Sequence, residues 1–292
     1  MGTLVAIYRS MRPGQWLKNV LVLAPLVFAH QALELAALGR AAGAFALFCL
    51  ASGAVYLVND LLDAASDREH PVKRLRPIAS GALAPGVAAV AAALLGAGTL
   101  AAAALAAPPL ALVLGVYLAV NLAYSRVLKH VVILDVMTLA SGFVLRVVAG
   151  GLAIGVPVST WLLLCTSLLA LFLGFGKRRH ELLLLETDAC SHRPILAEYS
   201  PYFLDQLMAV VTTSTLVSYA LYTMDPLVQQ KLQTARLPLT IPFVLYGIFR
   251  YLYLVHQKDE GGDPTQVVFH DRPLLINIVL WTATVFAILY AR

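Results

Sequence analysis

Charge is scarce in this sequence. Of its 292 residues only 13% are Asp, Glu, Lys or Arg, against roughly 25% in an ordinary soluble domain, and this excludes a water-soluble globular fold. Cysteine is scarcer still. Cys49, Cys165 and Cys190 lie far apart with no CxxC pair, which excludes a disulfide framework and a zinc site and leaves them as packing residues. GxxxxGK[ST], GxSxG and HExxH are all missing, so there is no P-loop, nucleophile elbow or zinc-protease helix. Position 6 is Ala where myristoylation needs Ser or Thr.

What the chain has instead is apolar surface: 60% of it is hydrophobic and its mean hydropathy is +0.80. Its formal charge of +5 sits in short basic clusters between apolar runs. That placement follows the positive-inside rule, and no nucleic-acid partner is expected. Arg9, Arg12 and Lys18 precede the first apolar run as in a signal peptide. The run is long, lacks a small-x-small exit and leads into more apolar runs, so it is expected to stay attached.

Crossing about 30 Å of hydrocarbon takes roughly 20 apolar residues. Nine runs qualify, at about 19–37, 41–59, 86–106, 109–126, 131–150, 158–176, 207–224, 237–256 and 273–291. They are too long and regular for barrel strands, so the expected fold is an all-α polytopic membrane protein with nine transmembrane helices. The chain reads as a single transmembrane catalytic domain over 1–292. The first run contains Pro25 and ends near Glu34; the eighth contains Pro238, Pro242 and Arg250.

Basic residues gather in the even-numbered connections, which favours a cytoplasmic N-terminus, an exported C-terminus and a multi-pass protein of the inner (plasma) membrane. Asp60, Asp63, Asp67, Glu181, Asp188, Asp259, Glu260, Asp263 and Asp271 fall on the same side. The positive-inside rule does not account for acids, so an active site at the cytoplasmic face is expected.

The richest stretch is NDLLDAASDREHPVKRLRP at 59–77. On a continuous helix Asn59, Asp60, Asp63 and Asp67 fall at about 0°, 100°, 40° and 80°, one face. Three carboxylates there repel one another unless a cation joins them, and oxygen donors beside phosphate suit Mg²⁺. Lys73, Arg74 and Arg76 would then meet phosphoryl oxygens, with Pro71 and Pro77 turning the chain back. The alternative is a loop whose four acids and four bases neutralise one another.

Further ions extend the site. Asp135 and Arg146 share a face three turns apart, too far to touch, and each is expected to face a polar cavity separately, with at least one touching substrate. Tyr124 and Lys129 close the fourth span; Lys177, Arg178, Arg179, His180 and Glu181 close the sixth. Arg12, Gln15, Lys18 and Asn19 add a polar edge. Basic residues at span ends also serve as plain interfacial anchors.

The 59–77 stretch, followed by IASG at 78–81, resembles the first aspartate-rich motif of the UbiA-type intramembrane prenyltransferases, at Asn59, Asp60, Asp63, Asp67, Lys73, Arg76 and Pro77. That resemblance implies nine helices around a central cavity, a Mg²⁺-dependent diphosphate site facing the cytoplasm, and a lateral opening for lipid. Where most members carry a second aspartate-rich motif, this chain has GKRRHELLLLETD at 176–188. With MRPGQWLKN at 11–19, YSRVLKHVVILDVMTLASGFVLRVVAGG at 124–151 and GGDPTQVVFHDRPLL at 261–275, it is similar to the branch that transfers phosphoribosyl to decaprenyl phosphate.

In that branch the implied donor is 5-phosphoribose 1-diphosphate (phosphoribosyl diphosphate) and the implied acceptor a polyprenyl phosphate, in the synthesis of cell-wall arabinan precursors. The resemblance then implies Asp60, Asp63 and Asp67 on Mg²⁺, with Asn59, Lys73 and Arg76 at the departing diphosphate. It leaves Lys18, Tyr124, Lys129, Arg146, Lys177, Arg178 and Glu181 for the lipid phosphate or the sugar 5-phosphate, and Asp135 for a ribose hydroxyl or a basic neighbour. A homo-oligomer stays open. The runner-up is a conventional prenyltransferase acting on an aromatic acceptor, with Glu181 and Asp188 as its second acid pair; the third reading is a transporter or channel.

Overall fold

The structure, a computed structural model, describes residues 2–187, 194–258, 261–262 and 264–290. Asp188, Cys190, Asp259, Glu260 and Asp263 lie outside the described residues. Among the described residues every regular element is a helix. A helix α1 (Thr3–Ser10) precedes a 3-10 helix (Pro13–Leu23) and a short α2 (Ala24–Phe28). Then come α3 (Leu35–Leu62), α4 (Ala64–Glu69), α5 (Pro85–Ala106), α6 (Pro108–Arg126), α7 (Leu134–Ile154) and α8 (Thr160–Thr187). α9 (Pro201–Met224), α10 (Pro226–Leu232), α11 (Ile241–Gln257), α12 (Pro264–His270) and α13 (Arg272–Tyr290) complete the chain.

Proline opens α5, α6, α9, α10 and α11, where its missing N–H is not needed and its fixed φ suits the first turn. Ser200 accepts the Phe203 N–H at 3.1 Å and Asp225 the Leu227 N–H at 2.8 Å, capping α9 and α10.

Among the described residues eight helices are long and apolar enough to cross a membrane: α3, α5, α6, α7, α8, α9, α11 with its leading turn, and α13. This is a multi-pass membrane protein. The first expected span, 19–37, is built differently, from the 3-10 helix and α2. Pro25 supplies the reason: it has no N–H to give the Leu21 carbonyl an α-helical bond. The Ala24 N–H takes that carbonyl instead.

α3 also departs from expectation, starting at Leu35 and ending at Leu62. Asp63 sits at φ −93° and ψ 4°, and α4 begins directly after it. The Asp63 N–H still reaches the Asn59 carbonyl at 2.9 Å, and the Asp67 N–H the Asp63 carbonyl at 2.9 Å. The helix is therefore interrupted at Asp63 while its hydrogen bonds carry on.

Two compact units divide the chain. The first holds residues up to Leu26, Glu34–Lys129 and Leu145–Pro157. In it α3 packs on α5, α6 and the 3-10 helix, through the buried Ala41, Ala44, Ala51 and Ala54 of α3 and Ala88, Ala92 and Ala103 of α5. Lipid tails give helices no hydrophobic drive to associate, so small side chains that permit close van der Waals contact do that work. The second unit holds Val27–Leu33, His130–Val144 and the chain from Val158 onward. α8 lies along α9 there, and α11 along α9 and α13, around Phe172, Phe175, Leu204, Met208, Tyr251 and Leu254.

One close approach fixes the 3-10 helix in the first unit. A Cβ on Gly150 would stand 1.9 Å from the Val22 carbonyl oxygen. Gly150→Ala is expected to destabilise the protein by about 1–3 kcal/mol, as overpacking does, seen as a lowered thermal midpoint in detergent. Gly98→Ala, whose Cβ meets nothing within 4 Å, is the control and should hold or raise it.

Candidate active site

Most of the ions singled out in the sequence collect in two clusters, one per unit. In the first unit the end of α3 delivers Asn59 and Asp60, and α4 delivers Asp67. The Asp60 and Asp67 side chains are only 2% and 4% exposed, so each needs a cation or donor against it. Arg76 gives Nη1 to both, at 3.2 Å to Asp60 Oδ1 and 2.6 Å to Asp67 Oδ2. Arg12 adds a second guanidinium on Asp60 and stacks 4.9 Å above the Tyr56 ring. It does so from a left-handed backbone, φ +52°, just ahead of Pro13.

Asp63 behaves differently. Its side chain is 40% exposed and takes Lys129 Nζ at 3.0 Å. All three carboxylates have cations, brought from sequence positions 12, 76 and 129; Arg76 on Asp60 and Asp67 is a pairing within the stretch of the kind the neutralised-loop alternative expects. Among the described residues no three His, Cys, Asp or Glu side chains are gathered as a metal-binding group. Asn59 accepts a hydrogen bond from Ser125 Oγ, one residue after the buried Tyr124. Lys18 on the 3-10 helix and Lys73 in the 3-10 turn Lys73–Leu75 are half-buried in the same unit.

Arg146 also belongs to the first unit, only 6% exposed. Its Nε reaches Asn19 Oδ1 at 2.7 Å, its Nη2 reaches the Tyr117 hydroxyl at 3.1 Å, and its Cζ lies 5.0 Å from the Tyr117 ring and 5.7 Å from the Phe48 ring. Neutral oxygens and aromatic faces hold this guanidinium. Such an ion within a membrane segment marks function by default.

In the second unit Asp135, fully buried, opens α7. Its Oδ2 takes Arg178 Nε at 2.6 Å and its Oδ1 takes the Tyr199 hydroxyl at 2.8 Å. Arg178, 1% exposed, extends Nη1 to Glu181 Oε2 at 2.5 Å, while Lys177 Nζ lies 3.8 Å from Glu181 Oε1. Asp135 and Arg146 have different partners, as expected from their distance, but each is buried against side chains rather than facing an open polar cavity. Burial pushes the Tyr199 phenol up to about 12, with the Ile133 N–H pulling the other way; this hydroxyl stays a donor at neutral pH. One residue further along α8, Arg179 Nε reaches Asp205 Oδ1 at 2.7 Å, which also takes His256 Nε2 at 3.1 Å.

Sequence reasoning missed Tyr199, Ser125 and Asp205, and saw Arg12 only as a polar edge. Tyr199 carries no motif, and only its nearness to the Ser200-Pro201 helix start marks it. Arg12 was legible as the base in MRPGQWLKN, though its partner was not.

The family model for the UbiA prenyltransferase family matches residues 20–272. The chain is 38% identical over 292 residues to a decaprenyl-phosphate phosphoribosyltransferase of Corynebacterium glutamicum, covering 97% of this chain and 86% of that one. A protein of the same name from Mycolicibacterium smegmatis is 35% identical over 301 residues, covering 97% and 92%. One from Mycobacterium tuberculosis is 36% identical over 289 residues, covering 96% and 93%. Among solved structures, a UbiA homolog from Archaeoglobus fulgidus bound to GPP and Mg²⁺ superposes with a TM-score of 0.74 at 19% identity, covering 97% and 99% of the two chains. The same homolog bound to DMAPP and Mg²⁺ gives 0.73 at 18%, covering 98% and 99%. These likenesses show a shared fold.

The geometry separates two roles for cations in the first unit. Arg76→Met takes the cation from the buried Asp67 and leaves Asp60 with Arg12 alone, and is expected to destabilise the ligand-free protein by about 2–4 kcal/mol, whereas Lys129→Met, beside the exposed Asp63, should cost under about 1 kcal/mol. Thermal midpoints of the two variants check the order.

Proposed function

The chain belongs to the UbiA prenyltransferase family, and we propose that it is a membrane transferase moving 5-phosphoribosyl from 5-phosphoribose 1-diphosphate to a polyprenyl phosphate such as decaprenyl phosphate. The observation that carries this reading is the 35–38% identity, over nearly the whole chain, to decaprenyl-phosphate phosphoribosyltransferases. In the reaction the bond from the ribose anomeric carbon to the diphosphate oxygen breaks, and diphosphate leaves with the electron pair. A lipid phosphate oxygen forms the new bond to that carbon.

The chemistry of the side chains supports it. The acceptor oxygen is already anionic near neutral pH, so the protein needs to position it and balance its charge more than to remove a proton. Both substrates bring phosphate monoesters besides the diphosphate. Lys177, Arg178, Lys129 and Arg146 supply cations for them, with Lys18 and Tyr124 as further polar contacts. Of the second acid pair a conventional prenyltransferase would need, Glu181 is salt-bridged to Arg178 and Asp188 lies outside the described residues, so the identity to the phosphoribosyltransferases decides between the two readings.

Asn59, Asp60, Asp63 and Asp67 offer oxygen donors of the kind Mg²⁺ takes, held in the ligand-free protein by Arg12, Arg76 and Lys129, side-chain cations standing where a metal cation would be attracted. Those four residues would hold Mg²⁺, which when bound would offset charge on the diphosphate. Arg76, and Lys73 beside it, would meet the diphosphate oxygens as it leaves. The bias of basic residues supports placement in the plasma membrane with the N-terminus and the active site on the cytoplasmic side.

Purified protein in vesicles with a polyprenyl phosphate, labelled 5-phosphoribose 1-diphosphate and Mg²⁺ should form labelled lipid. Asp60→Asn and Asp63→Asn should each lower the rate on the order of 100-fold or more. No labelled lipid, together with prenyl transfer from a prenyl diphosphate to an aromatic acceptor, would reverse the assignment.

A further inference from the structure

Tyr199 is 5% exposed, and its hydroxyl works in two directions. It accepts the Ile133 N–H at 2.6 Å and donates to Asp135 Oδ1 at 2.8 Å. Arg178 Nε holds the other oxygen of the same carboxylate at 2.6 Å. Each oxygen of the buried Asp135 thus has its own donor, and the two together set the plane of the carboxylate. That plane in turn aims Arg178, whose Nη1 grips Glu181 at 2.5 Å on the next turn of α8.

The ring of Tyr199 packs in the apolar cluster of its unit and stacks 6.2 Å from Phe203. A phenylalanine would fill that space equally well. What the sequence spends on tyrosine is therefore the hydroxyl alone, and both of its bonds lie beside the Asp135–Arg178 pair.

We infer that Tyr199 is a positioning residue for phosphate binding, acting through Asp135 to fix the Arg178 guanidinium and, through Glu181, Lys177. The inference rests on the assignment of Lys177 and Arg178 to substrate phosphate proposed above. A competing role exists, because Ile133 has φ +68°, a conformation that a β-branched residue adopts only when its surroundings hold it. The hydroxyl would then serve merely to pin that turn. Glycine separates the two roles, since it takes positive φ without strain, so the hydroxyl is no longer needed to hold that conformation even though the backbone N–H still donates to it.

The test is steady-state transfer by the full chain in vesicles, varying 5-phosphoribose 1-diphosphate and polyprenyl phosphate in turn, for wild type, Tyr199→Phe, Ile133→Gly and the double variant. Losing a hydrogen bond to a charged group should raise KM for one phosphate substrate about 10-fold with kcat changed less than about threefold. The double variant should keep that defect relative to Ile133→Gly. Should Tyr199→Phe alone fail to accumulate, the Ile133→Gly background carries the same comparison. Unchanged KM for both substrates, or a double variant matching Ile133→Gly, overturns the positioning role while wild-type activity stands. A wild type that makes no labelled lipid overturns the functional reading and this inference with it.

Discussion

A carboxylate buried at the end of an apolar helix keeps its charge only while a cation rests against it, because removing an ion from water costs several kcal/mol that nothing else nearby returns. Asp60 has two such cations, Arg12 and Arg76, and Asp67 shares the second. Asp135 has Arg178. Much of the local architecture follows from this requirement. The loop after α4 must return Arg76 to α3, and the left-handed turn at Arg12 aims its side chain at Asp60. α8 must continue past its apolar part far enough to carry Arg178 to the start of α7.

The same pairing shapes the chemistry. Arg12 and Arg76 balance Asp60 and Asp67, so the cluster holds fixed cations beside fixed acids, the pairing that a metal–diphosphate ligand on the proposed reading would meet. On the proposed reading Arg12 and Arg76 would meet the donor's phosphate oxygens beside Asp60 and Asp67, and the acids would hold a divalent cation that offsets the diphosphate charge. In the second unit the arrangement is stiffer. Arg178 is buried and held by two acids, whereas Lys177 is 40% exposed on its side chain and joined only loosely to Glu181.

Much of this was legible in the sequence. Hydropathy located the eight long apolar helices, because a span is set by length and apolarity and those are local properties, but α8 runs on through its charged end to Thr187, past the expected end at 176. The acidic stretch and the basic segment after the sixth expected span were visible for the same reason. The misjudged features depend on distant partners. The 3-10 form of the first apolar run follows from Pro25 lacking an N–H and from Val22 lying against Gly150. Helical angles placed Asp63 beside Asp60 and Asp67, but the helix is interrupted there and Lys129 holds it. Tyr199 was invisible because a lone tyrosine has no spacing to betray it, and its meaning comes only from Asp135, 64 residues away.

The central claim is that the Asp60, Asp63 and Asp67 cluster takes the donor's diphosphate by way of a divalent cation. Calorimetric binding of 5-phosphoribose 1-diphosphate to the purified protein, with no lipid acceptor present, tests it most directly. The account predicts binding in Mg²⁺ that disappears in excess chelator. Equal affinity with and without the metal would contradict it.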